Sequence, residues 1–112
     1  MFTVSDIALN TAAILSEIDD PQSGGLVVFE GRVRNHHQGR AVLRLEYESF
    51  RPLAEKEGNR IVAEAMERFE IRAVRCSHRT GLLDIGEVAV VVAVAAAHRG
   101  AAFSACQYLI DE

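Results

Sequence analysis

At 112 residues, with 49% hydrophobic and 25% charged residues, the chain suits a single domain with a buried core and has no disordered signature. A net charge of −4 and an isoelectric point near 5.5 argue against a general nucleic-acid binder, which is usually basic. All the basic residues but Lys56 are arginine, so an anion site has to be a local arginine cluster on an acidic body.

Cys76 and Cys106 lie far apart in sequence, and nothing demands a disulfide; a reduced setting is the simpler expectation. The start, Met1-Phe2-Thr3-Val4-Ser5-Asp6, has no basic region leading into an apolar core, so no signal peptide is expected. The longest apolar run, Val88 to Ala97, is too short to span a bilayer. The expectation is a soluble cytoplasmic protein.

In chain order, Phe2 to Val4 suits a short edge strand. Ser5 or Asp6 can cap a helix running through Glu17, with Ile7, Ile14, Leu15 and Ile18 as its apolar stripe. Asp19 to Gly25 is a turn rich in breakers. Next comes a strand from Leu26 to about Arg34, apolar at its start and charged at its end. Alternation puts Leu26, Val28, Glu30, Arg32 and Arg34 on one face. A polar loop runs through Arg40. A hairpin-like return then alternates Leu43, Leu45 and Tyr47 with Arg44, Glu46 and Glu48.

Pro52 opens a helix to about Phe69, with Val62, Met66 and Phe69 on one face and Arg60, Glu64 and Arg68 as a solvated row. Ile71 to Thr80 suits a strand, and Gly81 to Gly86 a loop or tight turn. Glu87 to Ala97 is a long strand with a valine face and an alanine-rich face. Gly100 to Asp111 is a helix with Phe103, Cys106, Leu109 and Ile110 inward. The order is α+β, with helices covering a largely antiparallel sheet. The alanine face and the exposed edges of so small a sheet favour pairing across subunits.

Two places could hold an anion. Arg32 and Arg34 end the organising strand, and guanidinium forks match phosphate or carboxylate oxygens in pairs. The plainer alternative is that Glu30 pairs with a neighbouring arginine. His98 and Arg99 stand where the long strand meets the last helix, whose N-terminus offers unpaired N–H groups. Here the alternative is a capping histidine and an arginine paired with a nearby acid. Cys76-x-His78 and His36-His37 lack the spacing of a structural zinc site, and no metal or cofactor is expected. No phosphate loop or serine elbow is present either.

The stretch Gly25-Leu26-Val27-Val28-Phe29-Glu30-Gly31-Arg32-Val33-Arg34-Asn35-His36 resembles the signature of the molybdopterin synthase catalytic (large) subunit, the MoaE family. Leu45-Glu46-Tyr47-Glu48 with Ala54-Glu55, His78-Arg79-Thr80-Gly81, Gly86-Glu87 and Ala97-His98-Arg99 agree in order and spacing. Ala101 to Cys106 is similar to the family's last core helix. The resemblance covers nearly the whole chain, read as one domain over residues 1–112.

The resemblance implies an α/β hammerhead fold with an added β subdomain, and a homodimer. It implies a small ubiquitin-like carrier whose C-terminal glycine thiocarboxylate supplies sulfur. The implied substrate is cyclic pyranopterin monophosphate, which two sulfur transfers convert to the dithiolene of molybdopterin. By position, Arg32, Val33 and Arg34, with Phe29 ahead of them, correspond to a first substrate-binding segment; His98 and Arg99 correspond to a second. Arg34, His98 and Arg99 are the implied catalytic residues. The family also carries two lysines around a Pro-x-Trp segment after its last helix. That motif has no counterpart up to Glu112, and Lys56 stands in the wrong place to replace it. The 112 residues are therefore expected to bind substrate weakly but to fail to transfer sulfur. The alternative function is a non-catalytic interaction protein that docks the carrier or a sister subunit.

Overall fold

The structure is a computed structural model describing residues 1–34, 36–37, 40–41, 44–47 and 51–112. In chain order it contains β1 (Phe2–Ser5), α1 (Thr11–Ser16), β2 (Gly25–Arg32), β3 (His36–His37), β4 (Arg40–Ala41), β5 (Arg44–Tyr47), α2 (Arg51–Arg68), β6 (Ala73–Arg79), β7 (Gly81–Asp84), β8 (Val88–Ala96) and α3 (Arg99–Asp111). The main sheet has the order β1-β6-β8-β2, antiparallel except for the parallel β1–β6 pair. Two small two-stranded ladders, β3–β4 and β5–β7, follow from the far end of β2. The fold is α+β with a largely antiparallel sheet, as the element pattern predicts. No helix among the described residues is long and apolar enough to cross a membrane.

Alternation along β8 builds the core on both faces of the sheet. Val92, Val94 and Ala96, with Val74 and Cys76 of β6, pack against Val62 of α2 and Ala102, Ala105 and Cys106 of α3. On the other face, Ala93 and Ala95 lie beneath Leu15 and Ile18, at the end of α1. The small alanine side chains let that segment approach the sheet closely. The expectation that the alanine face joins subunits is thus corrected, because the chain's own N-terminal segment covers it.

Several boundaries also differ from the sequence expectation. The first helix starts at Asn10, whose side chain accepts the Ala13 N–H, and not at Ser5. Ser5 instead closes a local turn on Ile7, which is left exposed. The charged strand ends at Arg32, short of Arg34. β5 does not return along β2 but pairs with β7; Leu43 and Glu48 of that expectation lie outside the described residues. Gly81 to Asp84, expected as loop, forms β7 between two glycines of positive φ, Gly81 at 100° and Gly86 at 89°. On α2, Met66 faces outward while Ala65 is fully buried; on α3, Phe103 and Ile110 are exposed. The Arg60–Glu64 row is partly structural, since Tyr108 donates to Glu64 and Arg68 lies over the Tyr108 ring.

The two edges of the main sheet differ. The outer edge of β1 is covered by α2: the Phe2 N–H donates to Asn59 Oδ1 at 2.8 Å and the Val4 N–H to Glu55 Oε2 at 2.8 Å. Among the described residues, no strand pairs with the outer side of β2, where Leu26, Val28 and Phe29 are exposed.

In β6, Cys76 is buried and desolvation pushes its thiol up to about 11, as befits a core filler rather than a nucleophile. Burial also holds the His78 imidazole below its ordinary range. The unfolded chain therefore takes up a proton at His78 near pH 6.5 that the folded chain resists. The neutral form contributes stability above that pH, and the contribution is lost as pH falls. The melting temperature should drop more steeply from pH 7 to pH 5 in the parent than in His78→Gln. Parallel curves for the two chains would refute this.

Candidate functional site

The register of β2 on β8 decides where the sequence-predicted residues lie. Gly25 sits opposite Ala96, and Arg32 opposite Val88, with an irregularity between Gly31 and Arg32. Arg32, Val33 and Arg34 therefore stand at one end of this ribbon, and His98 and Arg99 at the other. At the rise of a strand, the eight residues of β2 hold the two clusters roughly 23 Å apart. One chain does not bring them together.

At the first end, Val33 is buried with Leu83 and Ala89, and its backbone is pinned from both sides. Its N–H donates to the Glu87 carbonyl at 3.0 Å, and its carbonyl accepts the Gly86 N–H at 2.7 Å. The flanking Arg32 and Arg34 consequently project to solvent. Arg32 is the arginine that pairs with Glu30, through Nε at 3.1 Å and Nη2 at 2.5 Å. Glu30 also accepts the Thr11 hydroxyl, and the hydrogen bonds from Thr11 first and then Arg32 hold its carboxyl below the usual range. Arg34 forms no ion pair among the described residues. Of the two strand arginines, it is the one left for an anion.

Phe29 lies on the opposite face from Glu30. With Phe2, Ile61, Val62, Leu109 and Ile110 it lines an apolar cavity of about 300 Å³ between the sheet, α2 and α3.

At the second end, His98 is the extended residue before α3, and its side chain makes no capping hydrogen bond. The imidazole and the adjacent Arg99 are both exposed, beside the first-turn N–H groups of a 13-residue helix. His98 thus occupies the cap position, as the plainer alternative has it, but its side chain does not cap the helix. The turn sits tightly on β2 because residues 24 and 25 are glycine. A Cβ on Gly24 would meet the Ala97 carbonyl oxygen at 2.7 Å, and one on Gly25 the Arg99 Cα at 3.2 Å. Gly24→Ala should lower stability by about 1–3 kcal/mol, as overpacking against fixed backbone does, and disturb His98. Denaturant unfolding checks this; an unchanged midpoint would show that the turn has slack.

Arg79 and Glu87 were legible only as matched residues with no role. Arg79, the last residue of β6, is paired through Nη1 with Glu87, and its Nε is buried without a hydrogen-bond partner among the described residues. The side chains of His36 and His37 lie outside the described residues.

An α+β domain that displays arginines at both ends of one edge strand, with a histidine beside them at one end, is equipped to hold a small anionic molecule. The profile of the MoaE protein family matches residues 4–112. The molybdopterin synthase catalytic subunit of Bacillus subtilis is 38% identical over 98% of this chain and 70% of its own length. The human molybdopterin synthase catalytic subunit is 32% identical over 98% of this chain and 57% of its own length. A solved molybdopterin synthase from Staphylococcus aureus superposes with a TM-score of 0.93 at 33% identity, over 98% of this chain and 80% of that one. The chain belongs to the MoaE family, that of the molybdopterin synthase catalytic subunit.

Proposed function

We propose that the chain takes sulfur from the thiocarboxylated C-terminus of a small ubiquitin-like carrier. It delivers that sulfur to cyclic pyranopterin monophosphate, building the molybdopterin dithiolene, in sites that each need two copies of the chain. The observation that supports this most directly is the position of two cationic clusters at opposite ends of β2, whose outer side pairs with no strand among the described residues. A second copy related by a two-fold axis beside that edge runs antiparallel to the first. It sets its own His98 and Arg99 near the first copy's Arg32 and Arg34, twice per pair. The exposed apolar residues of β2 supply the surface.

In such a site the Arg34 fork holds the phosphate, and Arg99 with the α3 N-terminus faces the second anionic group. The thiocarboxylate sulfur forms a bond to a substrate carbon as a carbon–oxygen bond of that carbon breaks, the oxygen leaving as water or with the phosphate. Water then attacks the acyl carbon, the acyl–sulfur bond breaks, and the carrier leaves as a carboxylate. The cations stabilise charge developing on oxygen and sulfur during both steps.

The test combines titration with the pyranopterin and a single-turnover assay with thiocarboxylated carrier. A binding isotherm and carrier-dependent dithiolene formation are expected. No binding of either partner would overturn the reading; binding of the carrier alone would favour a docking protein. The implied lysine motif belongs in the same assay: appending it after Glu112 should raise transfer roughly 100-fold or more, and leave affinity for the pyranopterin nearly unchanged.

A further inference from the structure

We infer that Arg79 and Glu87 form a positioning pair that fixes the Arg32–Arg34 segment for binding, without touching the ligand; this rests on the site proposed above. The connection is continuous. The Arg79 guanidinium, at the end of β6, holds the Glu87 carboxylate. The other oxygen of that carboxylate accepts the Asp84 N–H at 2.9 Å, closing the turn in which Gly86 has a positive φ. The backbone of the same turn grips Val33 through both its N–H and its carbonyl. Val33 in turn fixes the residues on either side, so the direction in which Arg34 leaves the strand depends on where Glu87 sits.

Stability alone does not account for the pair. The Arg79 side chain is 16% exposed and leaves its Nε buried without a hydrogen-bond partner among the described residues. Desolvating a guanidinium without satisfying all its donors is unfavourable, and well-packed apolar residues often replace such pairs at no loss. What the charge pair supplies, and an apolar contact does not, is a fixed direction between two elements.

The experiment is pyranopterin titration of four variants alongside circular-dichroism melting. Arg79→Met should raise the dissociation constant about tenfold while the binding stoichiometry of the folded protein stays that of the parent. Glu87→Gln should raise it about threefold, because the turn hydrogen bond survives. Arg79→Lys should restore most of the affinity. A merely structural role gives a different pattern: lower melting temperature and stoichiometry with an unchanged dissociation constant. That pattern would overturn the proposal, and if Arg79→Met does not fold, Arg79→Lys and Glu87→Gln still decide it. Arg34→Ala is the control. If it weakens binding and the Arg79 and Glu87 variants do not, the positioning role fails alone. If Arg34→Ala binds like the parent, the reading of the site itself fails.

Discussion

Arg34→Ala is expected to weaken pyranopterin binding by about 10- to 150-fold with the fold intact. A charge-assisted fork to a phosphate contributes about 1.5–3 kcal/mol, and about 1.4 kcal/mol is tenfold in affinity. Arg34 is exposed and its removal opens no cavity, so the melting temperature should stay close to that of the parent. Arg32→Ala should cost less, since its guanidinium already faces Glu30. Titration of the two variants side by side gives the ranking. Equal losses, or no loss at Arg34, would remove that arginine from the role assigned to it.

The second large effect concerns chains mixed in one solution. If each site takes Arg34 from one copy and His98 from another, Arg34→Ala and His98→Ala are each inactive alone. Random exchange of the two variants makes half of the pairs mixed, and each mixed pair holds one site with both residues intact. Sulfur transfer should then return to about a quarter of the parent rate. Sites built within single chains would give no recovery, and that result would dismiss the shared arrangement. The roughly 23 Å between the clusters in one copy makes recovery the expected outcome.

The parts of the fold legible in the sequence were those whose side chains alternate under a packing constraint. β2 and β8 announce themselves by period-two apolar runs, and α2 by Pro52 and a long helical spacing. β7 did not, because the glycines that bound it read as breakers, whereas here they turn the chain sharply enough to make a short strand. α1 was expected to be capped by Ser5 or Asp6, yet Asn10 caps it, because its start depends on the tertiary packing of Ile14 and Ile18. Phe103 and Ile110 fit an inward stripe, yet alanines at 102 and 105 draw α3 so close to the sheet that Phe103 turns outward and Ile110 stays part-exposed at the rim of the apolar cavity. The arginines and His98 could be placed at the ends of elements from the sequence. Their separation could not, since it depends on which strand lies beside β2 and in which register. Arg79 shows the same limit, for the loop or tight turn expected at residues 81–86 did not disclose that Glu87 is its partner.

The unequal edges of the sheet limit how many copies can join. A sheet open on both sides is a template for endless growth, each new copy offering the next a fresh edge. Here Glu55 and Asn59 occupy the outer N–H groups of β1, so addition proceeds only beside β2. Once two copies meet there, neither main sheet has an open edge left to offer among the described residues, and the joined sheet stops at eight strands. Helix α2 thus works as a terminator, keeping assembly finite and confining it to the side where the cations stand.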